Sequence, residues 1–168
     1  LPPRIKREEG STRKVVPEGL WTKCPGCEAV LYSAELEKTL MVCPKCAHHL
    51  RIGARPRLDG LMDAEGRYEI GQEVVPVDAL KFKDSRRYTE RLEEARRETE
   101  EDDALVVVQG SVCAVPLVAA VFEFRFLGGS MGSVVGERFT RGAEHCLANG
   151  LPLICFSSSG GARMQEGL

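Results

Sequence analysis

The chain has 168 residues, a formal net charge of −2 at pH 7, 43% hydrophobic residues and 29% charged residues. This length suits one domain, or a small module joined to part of a larger one, and excludes two full domains. The near-neutral charge argues against strong general nucleic-acid affinity, and no apolar run approaches the ~20 residues that a membrane helix requires.

Residues 1–20 are rich in charge and lack apolar periodicity, so we predict a mobile basic arm. The opening LPPRIKREEGSTRK has no apolar stretch of the kind found in secretory signals. We therefore expect a reducing, intracellular compartment. There are seven cysteines, and four of them have a spacing that suits metal binding better than disulfide bonds.

Four cysteines form two C-x2-C turns, Cys24, Cys27, Cys43 and Cys46, separated by β-like pieces at residues 29–32 and 40–42. Each turn places two thiolates on one side of an ion, which is typical of structural zinc sites. We predict a zinc ribbon over residues 21–52, whose filled shell leaves no open position for catalysis. A disulfide framework and an iron–sulfur site are alternatives. His48 and His49 are possible substitute ligands, although solvated histidines are the favoured interpretation.

Residues 53–103 read as a connector with one charged helix from about residue 86 to residue 100. Asp84 or Ser85 is a candidate cap for this helix, and Tyr88, Leu92 and Ala95 share one helical face. The remaining face is charged, so we expect it to be solvated.

From residue 104 onward the pattern is β-rich. Residues 104–126 predict a hairpin that turns at Gly110 and Ser111, and residues 153–156 predict a short buried strand. Between them, a glycine-rich loop at residues 128–133 leads into a helix. Its shared apolar face is predicted to carry Val135, Phe139, Ala143 and Cys146. The three remaining cysteines lie in apolar runs and are expected in the core: Cys113, Cys146 and Cys155.

The loop Gly128-Gly129-Ser130-Met131-Gly132 fits the G-x-S-x-G pattern of a hydrolase nucleophile elbow. No Asp follows Ser130, and the only later histidine is His145, within a predicted helix, so a serine hydrolase is disfavoured. The second loop contains Gly160 and Gly161, whose amides, with a helix behind them, could hold a developing negative charge as an oxyanion hole. Ordinary strand-to-helix turns are the alternative.

Four motifs occur in order, WTKCPGC, VCPKCAHH, FEFRFLGGSMGSVVGE and FSSSGGARMQE. Together they resemble the β subunits of the acetyl-coenzyme A carboxylase carboxyltransferases of bacteria and plastids, over residues 20–168. Ser158 departs from the alanine that is usual there. Family members continue well beyond the last motif, so we expect a truncated chain that is inactive by itself.

The resemblance implies an α/β fold, a partial crotonase/ClpP-like spiral of ββα units over residues 104–168, preceded by the zinc ribbon. It implies carboxyl transfer from carboxybiotin on a carrier protein to acetyl-CoA, giving malonyl-CoA, the first committed step of fatty acid synthesis, within an ATP-dependent complex. The implied partners are an α subunit in an α2β2 assembly, the biotin carboxyl carrier protein and biotin carboxylase. The implied compartment is the bacterial cytoplasm or the plastid stroma.

The resemblance also implies residue roles. The amides of Gly160 and Gly161 hold the thioester oxygen, and the loop with Arg163 shapes the coenzyme A pocket: Gly128, Gly129, Ser130, Met131 and Gly132. The resemblance implies that no side chain of this chain acts as the base, because in the family the ureido nitrogen of biotin takes that role.

Two other functions remain open. A carboxyltransferase or decarboxylase acting on another acyl-CoA would keep the fold. A zinc-ribbon protein binding RNA or DNA would contact phosphates through the basic arm and five further residues: Lys23, Lys45, Arg51, Arg55 and Arg57.

Overall fold

The computed structural model describes residues 20–167. The predicted basic arm therefore lies outside the described residues, apart from Leu20. The chain divides into two compact units, Leu1–Leu50 and Arg51–Leu168. Between residues 20 and 167, no helix has both the length and the apolar character needed to cross a membrane.

The first unit contains an antiparallel pair, β1 (Trp21–Lys23) and β2 (Val30–Tyr32), followed by α1 (Ser33–Lys38). Its small core consists of Cys24, Leu31, Leu36 and Cys43. The predicted β-like piece at residues 40–42 is confirmed only at Val42, which forms an isolated antiparallel bridge with His49. Leu40 and Met41 have φ values of 50° and 62°, and the Met41 amide donates to the Leu36 carbonyl, so this segment turns back onto the end of α1.

The second unit is built on a mixed sheet of four strands, in the spatial order β3 (Tyr68–Glu69), β4 (Leu105–Val112), β5 (Val115–Phe122) and β6 (Leu153–Phe156). The β3–β4 and β4–β5 pairs are antiparallel, and β5 and β6 are parallel, with Val118 opposite Leu153. The sheet is mixed because the helix α4 (Ser133–Asn149) carries the chain back from the end of β5 to the start of β6.

Three helices cover the sheet: α2 (Ala54–Leu61), α3 (Tyr88–Thr99) and α4 (Ser133–Asn149). Leu105 and Val107 of β4 pack with residues of α3 and α4, whereas Val106 and Val108 pack with α2. Both faces of β4 are thus buried, which explains its continuous apolar sequence.

The charged connector helix forms, and its buried face is confirmed, since Tyr88, Leu92 and Ala95 are all buried. The predicted cap is wrong. The helix begins at Tyr88, preceded by Arg87, with no side-chain bond to its first amides. Asp84 instead accepts hydrogen bonds from the Arg86 amide and from the guanidinium of Arg91, because it closes a local turn ahead of the helix.

The hairpin of β4 and β5 turns at Cys113 and Ala114, not at the predicted Gly110 and Ser111. Both turn residues have positive φ, 50° and 65°, an arrangement for which sequence normally supplies Gly or Asn. The carboxylate of Asp63 accepts hydrogen bonds from both of their amides, which compensates for the unfavourable residues. Cys113 is exposed at this turn and is not a core residue.

The buried face of α4 is rotated from the predicted one. Phe139 is 39% exposed, while Arg138 and Gly142 are buried. The reason is packing: a Cβ on Gly142 would lie 2.9 Å from Val107 Cγ1, so the glycine lets the helix approach the sheet closely. Cys146 is buried as predicted.

The prediction that β6 is buried is wrong. Ile154 is 38% exposed and Cys155 is exposed. Among residues 20–167, β6 is the outer strand of the sheet, so one of its edges and much of its surface face solvent.

Candidate functional site

The four cysteine thiols of the first unit form a cluster in which all Sγ atoms lie within 4.8 Å of one another. The Sγ atoms of Cys24 and Cys46 are 3.7 Å apart, and those of Cys27 and Cys43 are 3.8 Å apart. A tetrahedron with zinc–sulfur bonds of about 2.3 Å has edges of about 3.8 Å. The cysteines are free rather than disulfide-bonded, so the donor set and its spacing fit a structural zinc ion.

The pKa values of two of these thiols, Cys43 and Cys46, are shifted in opposite directions. Burial acts to raise the pKa of Cys43, but hydrogen bonds from the Lys45 and Cys46 amides outweigh it and lower that pKa to about 7. The His48 amide acts to lower the pKa of Cys46, whereas desolvation and the neighbouring thiols raise it to about 12. His48 and His49 are exposed and lie outside the sulfur cluster.

In the second unit the two glycine loops are in direct contact. The Gly160 amide donates to the Gly128 carbonyl at 2.9 Å, and Met131 forms a parallel bridge with Ala162. The first loop follows β5 and the second follows β6, so both lie beyond the carboxyl ends of adjacent parallel strands. This is the edge at which sheets with parallel strands generally bind ligands.

Gly129 makes this contact possible. Its φ is 66°, and a Cβ at this position would lie 2.1 Å from the Ser158 carbonyl oxygen, so no other residue fits without moving a loop. Gly128 has a similar φ of 67°, but an added Cβ would meet no atom within 4 Å. Within the first loop, Gly129 and Gly132 are buried, and Met131 is 41% exposed.

The buried side chain of Arg163 connects the first glycine loop to Asp103, which directly precedes the apolar run of β4. Its side chain is 0% exposed and forms two hydrogen bonds of 2.8 Å with the Asp103 carboxylate. It also donates to the Ser130 carbonyl at 2.7 Å and to Ser130 Oγ at 3.1 Å. Burial acts to lower its pKa, but the bonds to Asp103 outweigh this and raise the pKa, so the guanidinium stays charged. Because its side chain is fully buried, Arg163 would shape a coenzyme A pocket by positioning the loop at Ser130.

Glu166 and Tyr88 extend this buried cluster. The Tyr88 hydroxyl donates to Glu166 Oε1 at 2.6 Å, and the amide and hydroxyl of Ser133 donate to Glu166 Oε2, both at 2.7 Å. Burial is the main reason that the pKa of Tyr88 is raised. Burial also acts to raise the pKa of Glu166, but the bonds from Tyr88 and Ser133 lower it overall.

Sequence reasoning missed Asp103, Tyr88 and Glu166 as site residues. One available signal was Asp103, a carboxylate directly before the apolar run of β4, where an unpaired charge would be costly.

The amides predicted to bind an oxyanion have protein partners in this structure. Gly160 donates to the Gly128 carbonyl, and Gly161 donates to Ser159 Oγ at 3.1 Å. Among the described residues, the helix expected behind them is represented by a three-residue 3₁₀ turn, Met164–Glu166. Ser130 Oγ pairs with an arginine rather than with a histidine base, which agrees with rejecting a hydrolase.

Comparison with protein families identifies both parts of the chain. Residues 21–46 match the acetyl-CoA carboxylase zinc finger domain, and residues 75–168, more than half of the chain, match the carboxyl transferase domain. The chain belongs to the carboxyl transferase family. A zinc finger followed by a carboxyl transferase region is the architecture of the β subunit of the acetyl-CoA carboxylase carboxyltransferase. The predicted α/β fold and the four-cysteine ribbon are thereby confirmed.

Solved structures of carboxyl transferases have similar folds. Transcarboxylase 12S, a hexamer crystallised with methylmalonyl-coenzyme A and methylmalonic acid, shares 27% identity over 70% of this chain and 21% of its own, with a TM-score of 0.55. The β subunit of P. aeruginosa geranyl-CoA carboxylase shares 16% identity over 79% of this chain and 20% of its own, with a TM-score of 0.50.

A single-chain, multi-domain long-chain acyl-CoA carboxylase shares 24% identity over 66% of this chain and 11% of its own, with a TM-score of 0.53. This structure and the geranyl-CoA carboxylase establish the shared fold. The chain spans about a fifth of the length of transcarboxylase 12S.

Proposed function

We propose that this chain is the part of a biotin-dependent carboxyltransferase that binds the acyl-CoA thioester, with acetyl-CoA as acceptor and malonyl-CoA as product. The observation that carries the proposal is the contact between the two glycine loops at the carboxyl ends of β5 and β6, inside the region matching carboxyl transferases. The zinc finger match to acetyl-CoA carboxylase supports acetyl-CoA over other acyl groups.

Carboxyl transfer requires removal of a proton from the acetyl methyl group, and negative charge then develops on the thioester oxygen. Backbone amides near that oxygen stabilise the charge in a water-poor site. We assign this role to Gly160 and Gly161. The present partner of Gly161 is a rotatable serine hydroxyl, whereas that of Gly160 is a backbone carbonyl. Binding of the thioester therefore replaces the Gly161 bond to the serine hydroxyl first, and the Gly160 amide contributes once its bond to the Gly128 carbonyl is also replaced.

The other residues of the site are proposed to shape and hold the substrate pocket without taking part in the chemical step. The loop at residues 128–132 shapes one wall of the coenzyme A pocket, with Met131 presenting its exposed side chain. Arg163 holds that loop in position through its hydrogen bonds to Ser130. Proton removal is not assigned to a side chain of this chain. Once carboxybiotin on a carrier protein has released its CO2, the freed ureido nitrogen of biotin would take the proton, and the enolate would form its new carbon–carbon bond to that CO2.

The zinc ion is proposed to be structural, held by Cys24, Cys27, Cys43 and Cys46. Four thiolates complete its coordination, so it takes no part in the reaction. The proposed partners are a carboxyltransferase α subunit in an α2β2 assembly, the biotin carboxyl carrier protein and biotin carboxylase, in the cytoplasm or the plastid stroma.

The decisive test is a carboxyl-transfer assay with purified α partner, malonyl-CoA and a biotin derivative. This chain is compared with a version that carries the continuation found in family members. Activity in the longer chain supports the proposal, and the shorter chain is expected to be inactive. Replacing malonyl-CoA by methylmalonyl-CoA tests the acyl group, and a preference for the branched substrate would contradict the assignment of acetyl-CoA. Inactivity of both chains with every thioester would overturn the function.

Two neighbouring glycines give a sharper test of the loop contact. Gly129→Ala is expected to abolish most transfer activity, because its Cβ collides with the Ser158 carbonyl and pushes the loops apart. Gly128→Ala is the matched control, since it has the same backbone strain but no collision. Equal activity losses in the two variants would show that strain, rather than the loop contact, is responsible.

Nucleic-acid binding through the basic residues is the alternative function. Two of the five candidates already have carboxylate partners: Lys23 pairs with Glu28 at 3.2 Å, and Arg55 pairs with Glu69 and Glu101. This reduces the free charge available to phosphates. Salt-sensitive RNA or DNA binding that disappears when the five residues are changed to alanine would support this function, and no binding at low salt would end it.

A further inference from the structure

The segment 51–57 lies across the carboxyl ends of β5 and β6, held by three successive contacts. The guanidinium carbon of Arg51 lies 3.8 Å from the centre of the Phe124 ring. The Ala54 amide donates to Glu123 Oε2 at 2.9 Å. The guanidinium carbon of Arg57 lies 5.1 Å from the centre of the Phe156 ring. Phe156 ends β6, and Phe124 follows β5 by two residues, so the two arginines lie over neighbouring strand ends.

Neither of these arginines has an ionic partner in the part of the chain between residues 20 and 167. Arg55, which lies between them in sequence, does have ionic partners, because it forms hydrogen bonds with both Glu69 and Glu101. The buried carboxylate of Glu123, which bonds this segment at Ala54, also accepts hydrogen bonds from the amide and side chain of Arg125. Two positive charges are therefore held at one edge of the sheet without compensation.

A guanidinium held over an aromatic face by cation–π attraction keeps N–H groups that the ring does not use. A planar fork of this kind matches phosphate oxygens, which it can contact in pairs. Because the aromatic ring limits side-chain motion before a ligand arrives, less conformational entropy is lost on binding. The two sites are thus better suited to a phosphate than freely mobile surface arginines would be.

The arginines Arg51 and Arg57 contact residues that lie just before the two glycine loops in sequence. Ser157 follows Phe156 directly and leads to Gly160 and Gly161, and Phe124 leads within four residues to Gly128. The arginines and both glycine loops therefore occupy the same edge of the sheet, where ligands of such folds bind. A ligand with its reacting group at the glycines and phosphates at the arginines would cover this edge.

We propose that Arg51 and Arg57 bind the phosphate groups of the coenzyme A thioester whose acyl group lies at the glycine loops. This inference rests on the proposed function for the identity of the ligand. It adds a second contact region, formed by α2 and the residues before it, which anchors the nucleotide end of the substrate. Anchoring at a distance from the reacting atoms contributes to binding of the substrate and of the transition state alike.

The test is the double variant Arg51→Gln/Arg57→Gln in the full-length chain, assembled with its α partner. We expect the KM for the coenzyme A thioester to rise about tenfold or more, from loss of charge-assisted bonds, with kcat changed less than about threefold. The KM for the biotin derivative should not change. Arg97→Gln is the matched control, because Arg97 is an exposed arginine on α3 that lies over neither Phe124 nor Phe156.

Binding measured without catalysis separates this inference from the proposed function. Equilibrium titration with coenzyme A and with adenosine 3′,5′-bisphosphate should show weaker binding of both to the double variant than to the unchanged protein. If the enzyme proves inactive but this difference persists, the phosphate site stands and the proposed reaction fails. If transfer is active and neither KM nor binding changes, the phosphate site is refuted.

Two other outcomes also overturn the inference. A fall in kcat at constant KM would show that the arginines act on the glycine loops instead of on the substrate. Unchanged coenzyme A binding with lost RNA binding would assign them to the nucleic-acid function.

Discussion

At the scale of single residues, Arg163 and Asp103 form the most deeply buried ionic contact of the second unit. Both side chains are 0% exposed. Burying an ion pair costs much of what its attraction returns, but removing one partner leaves an uncompensated buried charge. Arg163→Met is therefore expected to destabilise the protein by about 3–5 kcal/mol, measured by urea unfolding.

The double variant Arg163→Met/Asp103→Leu provides the control for this expectation. It replaces both charges by apolar groups, so most of the stability should return while the loop at residues 128–132 stays poorly positioned. Stability restored without activity would separate the two roles of Arg163. A double variant as unstable as the single one would show that the lost contacts of Arg163 to Ser130, Tyr88 and Glu166, not the unpaired charge of Asp103, cause the damage.

Asp63 is the second informative residue, because it holds the hairpin turn. Hydrogen bonds from the Ala114 amide, the Ser111 hydroxyl and the Cys113 amide lower its pKa below the ordinary 3.8. A lowered folded-state pKa contributes stability that is complete above the ordinary pKa and is lost as the pH falls through the folded value. The unfolding free energy of the unchanged protein should thus exceed that of Asp63→Asn by a constant amount from about pH 7 to about pH 5.

Below about pH 4 this difference should shrink, because Asp63 becomes protonated and resembles asparagine. Asp102→Asn serves as the control, since Asp102 makes only an exposed pair with Arg96 at 3.4 Å. A difference that stays constant down to the lowest accessible pH would mean that the charge of Asp63 does not hold the turn.

At the scale of elements, the ribbon formed by β1, β2 and α1 depends on four cysteines and a core of four residues. Because so small a core cannot order the segment alone, metal binding, worth about 10–16 kcal/mol in comparable modules, accounts for its folding. Chelation should unfold residues 21–50 and leave the sheet of the second unit intact. The single tryptophan, Trp21, lies in β1 and reports this unfolding by fluorescence, while circular dichroism follows the sheet.

Cys24→Ser should reproduce the effect of chelation, whereas Cys113→Ser, at the exposed hairpin turn, should not. Metal analysis must accompany both measurements. Unchanged Trp21 fluorescence after demonstrated loss of the metal would contradict a folding role for the site.

Element prediction succeeded where the signal was local and repeated. The apolar runs of β4 and β5 and the buried stripe of α3 were readable because each face is defined by its own periodicity. The hairpin turn was misplaced because Gly110 and Ser111 carry the usual turn chemistry, while Cys113 and Ala114 depend on a carboxylate 50 residues away in sequence. The face of α4 was misread because a glycine, Gly142, provides its closest approach to the sheet.

At the scale of the whole molecule, β6 presents a partly exposed apolar surface at the edge of the sheet described here, with Ile154 38% exposed. Open strand edges of this kind pair with other chains. We expect the 168-residue chain to self-associate as its concentration rises, and Ile154→Lys to reduce this by placing a charge on the edge. Light scattering over a concentration series measures the effect.

Val77→Lys is the matched control, because Val77 is 71% exposed but lies outside the strands. Equal suppression by both variants would attribute solubility to net charge and not to the strand edge. A monodisperse unchanged protein at all concentrations would refute the expectation altogether.

The sequence by itself determined the zinc ligands, the strand-rich character of residues 104–126 and the two glycine loops, since each rests on residues close together in the chain. Only the tertiary structure decided how the loops meet and what holds them. Arg163 reaches Asp103 across 60 positions, and Ser133 reaches Glu166 across 33. Side chains so far apart in sequence become partners only when the sheet brings them together, because no local periodicity encodes a contact between separate loops.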